Sequence, residues 1–155
     1  MSDHSLLNLF TADLDVATQL LALIEAEYQA LQERDLPQLD ALLENKKPLL
    51  NILQQHAIER AHALTQAGHS ADREGLHSFA SHTSNGAALL EASEALAAQL
   101  QECQNGNLRN GRLIRANQML VNGALEALRG NETPSLYDSR GSSSNINRNR
   151  PLSQA

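Results

Sequence analysis

Residues 89–128, LLEASEALAAQLQECQNGNLRNGRLIRANQMLVNGALEAL, decide the fold of this chain. Within them Leu89, Ser93, Leu96, Leu100, Cys103, Asn107, Asn110, Ile114, Asn117, Val121, Ala124 and Leu128 follow one another in alternating steps of four and three. That spacing is the seam of a helix packed lengthwise against other helices. A second ladder precedes it: Leu7, Phe10, Leu14, Ala17, Leu21, Ile24, Tyr28 and Leu31. Two such rods imply an all-α protein, an elongated antiparallel bundle of three to four long helices. Holding a partner suits such a shape better than enclosing a substrate.

Working outward, the first helix starts at Ser2 or Asp3, where either side chain can accept a bond from the first-turn amides, and runs to about Glu33. Asp35-Leu36-Pro37-Gln38 then supplies an N-cap, an early proline and a glutamine three beyond the cap, so a second helix restarts here and folds back. Pro48 falls inside it and costs roughly 3 kcal/mol unless the rod bends, which predicts a kink, or a break capped by Asn45. Gly68 to Asn85 lacks periodicity, apart from a short helix expected over 73–81 that covers the core end with Leu76 and Phe79. The last helix is expected from Asn85 to Arg129, roughly 65 Å at about 1.5 Å per residue, weakened by Gly106, Gly111 and Gly123. Gly130 is its C-cap candidate.

Composition agrees. In 155 residues aromatics make up 3% and there is no tryptophan, which suits long helices and not a β-sandwich. The net charge of −6 gives no basic face for nucleic acid and argues against anionic membranes. Up to Arg129 there are 16 acids and 9 bases, a balance of −7, whereas the remainder holds 2 acids and 3 bases. The remainder is also rich in Gly, Asn, Ser, Pro and Arg, which predicts a bundle domain over 1–129 and a disordered tail over 130–155. A single cysteine, no basic-then-apolar leader and no run of 18 apolar residues predict a cytoplasmic protein without membrane insertion.

Chemistry-bearing motifs are few. Glu59–His62 and Glu74–His77 have the Glu-x-x-His spacing of di-iron bundles, but the copies sit fifteen residues apart and the first helix offers no inward carboxylate ladder. They read as solvated pairs, so no metal, cofactor or catalytic residue is expected. Cys103 falls on the apolar seam and reads as a small buried hydrophobe. The seam asparagines Asn107, Asn110 and Asn117 admit two readings: they set helix register, or they form the polar part of a partner-binding groove. Arg109, Arg112 and Arg115 beside them form a basic stripe that acids of the first helix, such as Glu25 and Glu27, could meet. Downstream, Leu136-Tyr137 has nothing local to pack on and suits anchoring to a partner.

The run Asn110-Gly111-Arg112-Leu113-Ile114, then Leu120, Leu125, Leu128-Arg129-Gly130, Leu136-Tyr137, Gly141 and Arg150-Pro151-Leu152, resembles the FlgN family of flagellar export chaperones. Lys46-Lys47-Pro48-Leu49-Leu50 is similar to that family too. The resemblance implies a non-enzymatic helical protein that binds the C-terminal amphipathic helix of hook–filament junction proteins. It implies delivery of them to the cytoplasmic domain of the flagellar export gate, with Leu136 and Tyr137 as docking residues. The last helix outruns the first by about three turns. Its surplus apolar face, with Ile114, Asn117, Leu120, Val121, Leu125 and Leu128, is the expected substrate-binding face, covered in the free protein by self-association. The competing expectation is a structural coiled-coil subunit of a larger complex.

Overall fold

The computed structural model describes residues 3–129, and these form four helices and no strand. In chain order they are α1 (Asp3–Glu33), α2 (Leu36–Gln66), α3 (Arg73–Ala80) and α4 (Gly86–Arg129). The described residues divide into two units, one up to residue 111 and a second from residue 112. The tail expected beyond 129, with Leu136 and Tyr137, lies outside the described residues.

Within the first unit α2 runs antiparallel to α1, and α4 runs parallel to it. Asp13 meets His56 and Arg60 whereas Glu27 meets Lys46, so sequence number falls along α2 as it rises along α1. Ala17 lies beside Cys103 and Ile24 beside Asn110, rising together. The reversal between α1 and α2 is tight. The Asp35 N–H returns to the Ala30 carbonyl at 2.9 Å, and Arg34 takes the left-handed conformation (φ 59°) that such a helix end requires. Asp35 then caps α2, its Oδ1 accepting the Gln38 N–H at 3.1 Å as the sequence predicts.

Of the two expectations at Pro48, a kink or a break capped by Asn45, the break is absent: α2 runs from Leu36 to Gln66 through the proline. The missing hydrogen bond is offset by packing, since Leu49 and Leu53, just beyond the proline, close on the cluster of Leu20, Ile24 and Cys103. A second cluster joins Leu6, Phe10 and Ala17 of α1 with Leu64, Leu76, Leu89 and Leu96. The short helix α3 is where the sequence puts it, with Leu76 buried and Phe79 packed on the core end.

The seam of α1 differs from its apolar ladder. Phe10, Ala17, Ile24 and Leu31 are buried as expected, but the alternate buried positions are Leu6, Asp13, Leu20 and Glu27. Leu7, Leu14, Leu21 and Tyr28 are only half-buried. The helix therefore turns two carboxylates inward, each held by a cation of α2. By length and composition His4–Glu33 is the one stretch among the described residues able to cross a membrane. In the bundle it is the rod against which α2 and α4 both pack.

Candidate partner-binding site

The polar bridges come first, because they fix which face of α4 turns inward. Asp13, fully buried, receives His56 Nδ1 on Oδ1 at 2.6 Å and Arg60 on Oδ2. Arg60 also lies over the Phe10 ring at 4.8 Å. One seam further on, Asn110 is 2% exposed and donates from Nδ2 to the Ile24 carbonyl at 2.9 Å and to Glu27 Oε1 at 2.8 Å. Glu27 Oε2 accepts from Lys46 at 3.4 Å, so one carboxylate ties α1 to both neighbours. Arg109 reaches Glu25 at 3.2 Å and stacks on Tyr28 at 3.9 Å, the acid–base pairing expected of that stripe at one of its three arginines.

Of the three seam asparagines, then, Asn110 takes the register-setting role. Asn107 is exposed, and Gly106 occupies the inward position in its place. A Cβ at Gly106 would sit 2.6 Å from Ile24 Cγ2, so the closeness of α1 and α4 is what asks for glycine there. Cys103 is buried, its thiol donating to the Ala17 carbonyl at 3.5 Å, and burial pushes its pKa up.

From Arg112 the character of α4 changes. Ile114 is 41% exposed, Leu120 63%, Val121 59%, Leu125 43% and Leu128 79%. Leu113 and Asn117 are half-buried and Ala124 is exposed. At 100° per residue these positions share one stripe roughly 140° wide. Arg112, Arg115, Asn122 and Glu126 lie on the opposite side and are exposed too, so the segment is amphipathic with its apolar face left uncovered. Residues 112–129 hold three arginines and one glutamate, whereas residues 1–111 hold 15 acids and 6 bases. The exposed apolar stripe thus sits on a net basic helical stretch of an acidic chain.

The profile of the family described as FlgN protein matches residues 1–145. The chain belongs to the FlgN family. A solved structure from Pseudomonas aeruginosa, of a protein described as a candidate flagella synthesis protein FlgN, is similar at 43% identity with a TM-score of 0.70. The match covers 83% of this chain and 98% of that one. Comparison with curated proteins returns no match. Family membership agrees with the all-helical bundle.

The Glu-x-x-His strings gather no further ligands, and no group of three metal-binding side chains occurs among the described residues. His62 instead contacts Gln66 at 3.3 Å. The inward carboxylates are the functional groups that sequence reasoning missed. Asp13 and Glu27 lie fourteen residues apart in register with Leu6 and Leu20, and Arg60 and Lys46 answer them fourteen apart on α2. That matched spacing was the available signal.

Proposed function

We propose that this protein is a flagellar export chaperone whose 112–129 stretch of α4 receives the C-terminal amphipathic helix of hook–filament junction proteins. The observation that carries the reading is the exposed apolar stripe of Ile114, Leu120, Val121, Leu125 and Leu128, which continues the α4 seam beyond its buried positions Leu96, Cys103 and Asn110. Exposed leucines along one helical stripe are a costly surface in water and suit an apolar helix face of a partner. Asn117 within the stripe supplies a hydrogen-bonding group that fixes the register of the bound helix. Sequestering that helix keeps the junction protein from assembling before export. Delivery then runs through Leu136 and Tyr137 to the cytoplasmic domain of the export gate, in a protein acting in the cytoplasm with neither nucleic acid nor membrane insertion.

The test is a pull-down of a junction protein by the full chain and by Ile114→Asp and Val121→Asp. Both variants lose the junction protein while keeping wild-type helix content, because both side chains are already solvent-exposed. Undiminished capture by both variants removes the proposed face. Tyr137→Ala retains the junction protein and weakens binding in a titration against the gate's soluble domain. Wild-type protein that captures no junction protein but co-purifies as a fixed subunit of a larger assembly favours the structural coiled-coil reading.

A further inference from the structure

A second apolar stripe lies on α2, within the first compact unit and apart from the face assigned above. Leu36 is 68% exposed, Leu43 47% and Leu50 47%. They repeat every seven residues, so they line up along one side of the rod with a drift of only about 20° per step. Asp40 and Lys47 follow the first two leucines by four residues, which puts both charges on the same edge of the stripe. Asp40 joins no ion pair among the described residues, and Lys47 has only exposed Glu44, a pairing of little worth within one helix.

We infer that α2 is a homodimer interface in which two copies pair antiparallel about a two-fold axis at Leu43. The stripe is self-complementary in that arrangement and in few others. Leu43 meets Leu43 of the second copy, and Leu36 meets the other copy's Leu50 on each side of the axis. The same register brings Asp40 alongside the second copy's Lys47, and symmetry makes that ion pair twice. An isologous interface needs this property, one patch that satisfies itself when rotated by half a turn. The opposite charges on one edge select the second copy as occupant: only the antiparallel pairing brings the two charged edges together, whereas a parallel pairing turns them to opposite sides and forms no Asp40–Lys47 pair. With three leucines a side the contact is small, so the dimer is weak, with a dissociation constant of about 10–100 µM.

Sedimentation equilibrium of the full chain over a concentration series tests the pairing. The wild type passes from monomer to dimer as concentration rises. Leu43→Asp raises the dissociation constant at least about tenfold, the scale of losing the central contact of a small patch. Asp40→Lys and Lys47→Asp each weaken the dimer, and the double variant carrying both regains it, since the pair is reformed with its signs exchanged. Circular dichroism confirms that these exposed substitutions leave the helices intact. A chain monomeric throughout the series overturns the inference. So does a dimer untouched by Leu43→Asp but lost in Leu120→Asp, which would put self-association on α4 instead.

Discussion

Asn110 Nδ2 donates to Glu27 Oε1 at 2.8 Å, inside the bundle and across 83 positions of sequence. The same amide nitrogen donates to the Ile24 carbonyl, so one side chain fixes both the register and the rotation of α4 against α1. A buried carboxylate accepts this arrangement because Lys46 completes its coordination from α2. Helix α4 is thereby held with Cys103 and Gly106 inward. Rotation by one residue would turn Asn107 inward instead.

Replacing Asn110 with Ala therefore costs about 2–3 kcal/mol, the scale of removing hydrogen bonds from a buried charged group. Asn107→Ala, on the same apparent ladder but exposed, changes stability by less than about 0.5 kcal/mol. Urea unfolding of the two variants separates them, and equal midpoints would contradict the register role.

The second buried carboxylate makes a sharper contrast. Asp13→Ala strands His56 and Arg60, which are 24% and 15% exposed at their side chains, and costs about 3 kcal/mol. Arg60→Ala leaves the fully buried Asp13 with His56 alone and costs as much or more. Asp15→Ala, two residues on and exposed, is near neutral. Thermal unfolding of the three variants reads the difference.

How far the sequence discloses this molecule follows from which positions announce themselves. Leu36 to Gln38 start α2 because Asp35 caps and Pro37 pre-sets the first turn, and both signals are local. The α4 ladder is legible in part: Leu89, Leu96, Cys103 and Asn110 are buried as spaced, but its alternate members Leu100 and Asn107 are exposed, because the inward face drifts to Gly106. The α1 seam is not legible, because Asp13 and Glu27 are polar and read as solvent-facing until Arg60 and Lys46 are known to reach them. At Pro48 the local cost allows either a bent or a broken rod, and the packing of Leu49 and Leu53 on the core favours the continuous one. The exposed face at 114–128 is legible as surplus seam, since α4 has 44 residues against 31 in each of α1 and α2.

Acid acts locally at α3. The Ser70 hydroxyl and then the Gly75 N–H, at 2.6 and 2.8 Å from Asp72 Oδ1, hold that carboxyl below its ordinary 3.8. A depressed carboxyl stabilises the fold above the unfolded value and loses that contribution as pH falls through the lower folded one. The expected result is an NMR titration of the Gly75 amide with a midpoint below 3.8, absent in Asp72→Asn. A midpoint at or above the ordinary value would mean that the cap does not form in solution.

Two glycines of α4 separate packing from propensity. A Cβ at Gly123 meets nothing within 4 Å, whereas one at Gly106 would lie 2.6 Å from Ile24 Cγ2. Gly123→Ala therefore gains only the helix-propensity term, raising stability by about 0.5–1 kcal/mol. Gly106→Ala gains the same term but forces α1 and α4 apart at the level of the Asn110 bridge, a net loss of about 1–2 kcal/mol after overpacking. Thermal unfolding should move the two variants in opposite directions. Stabilisation by both would show that Ile24 can move aside, and that the approach of α1 to α4 is looser than the 2.6 Å spacing requires.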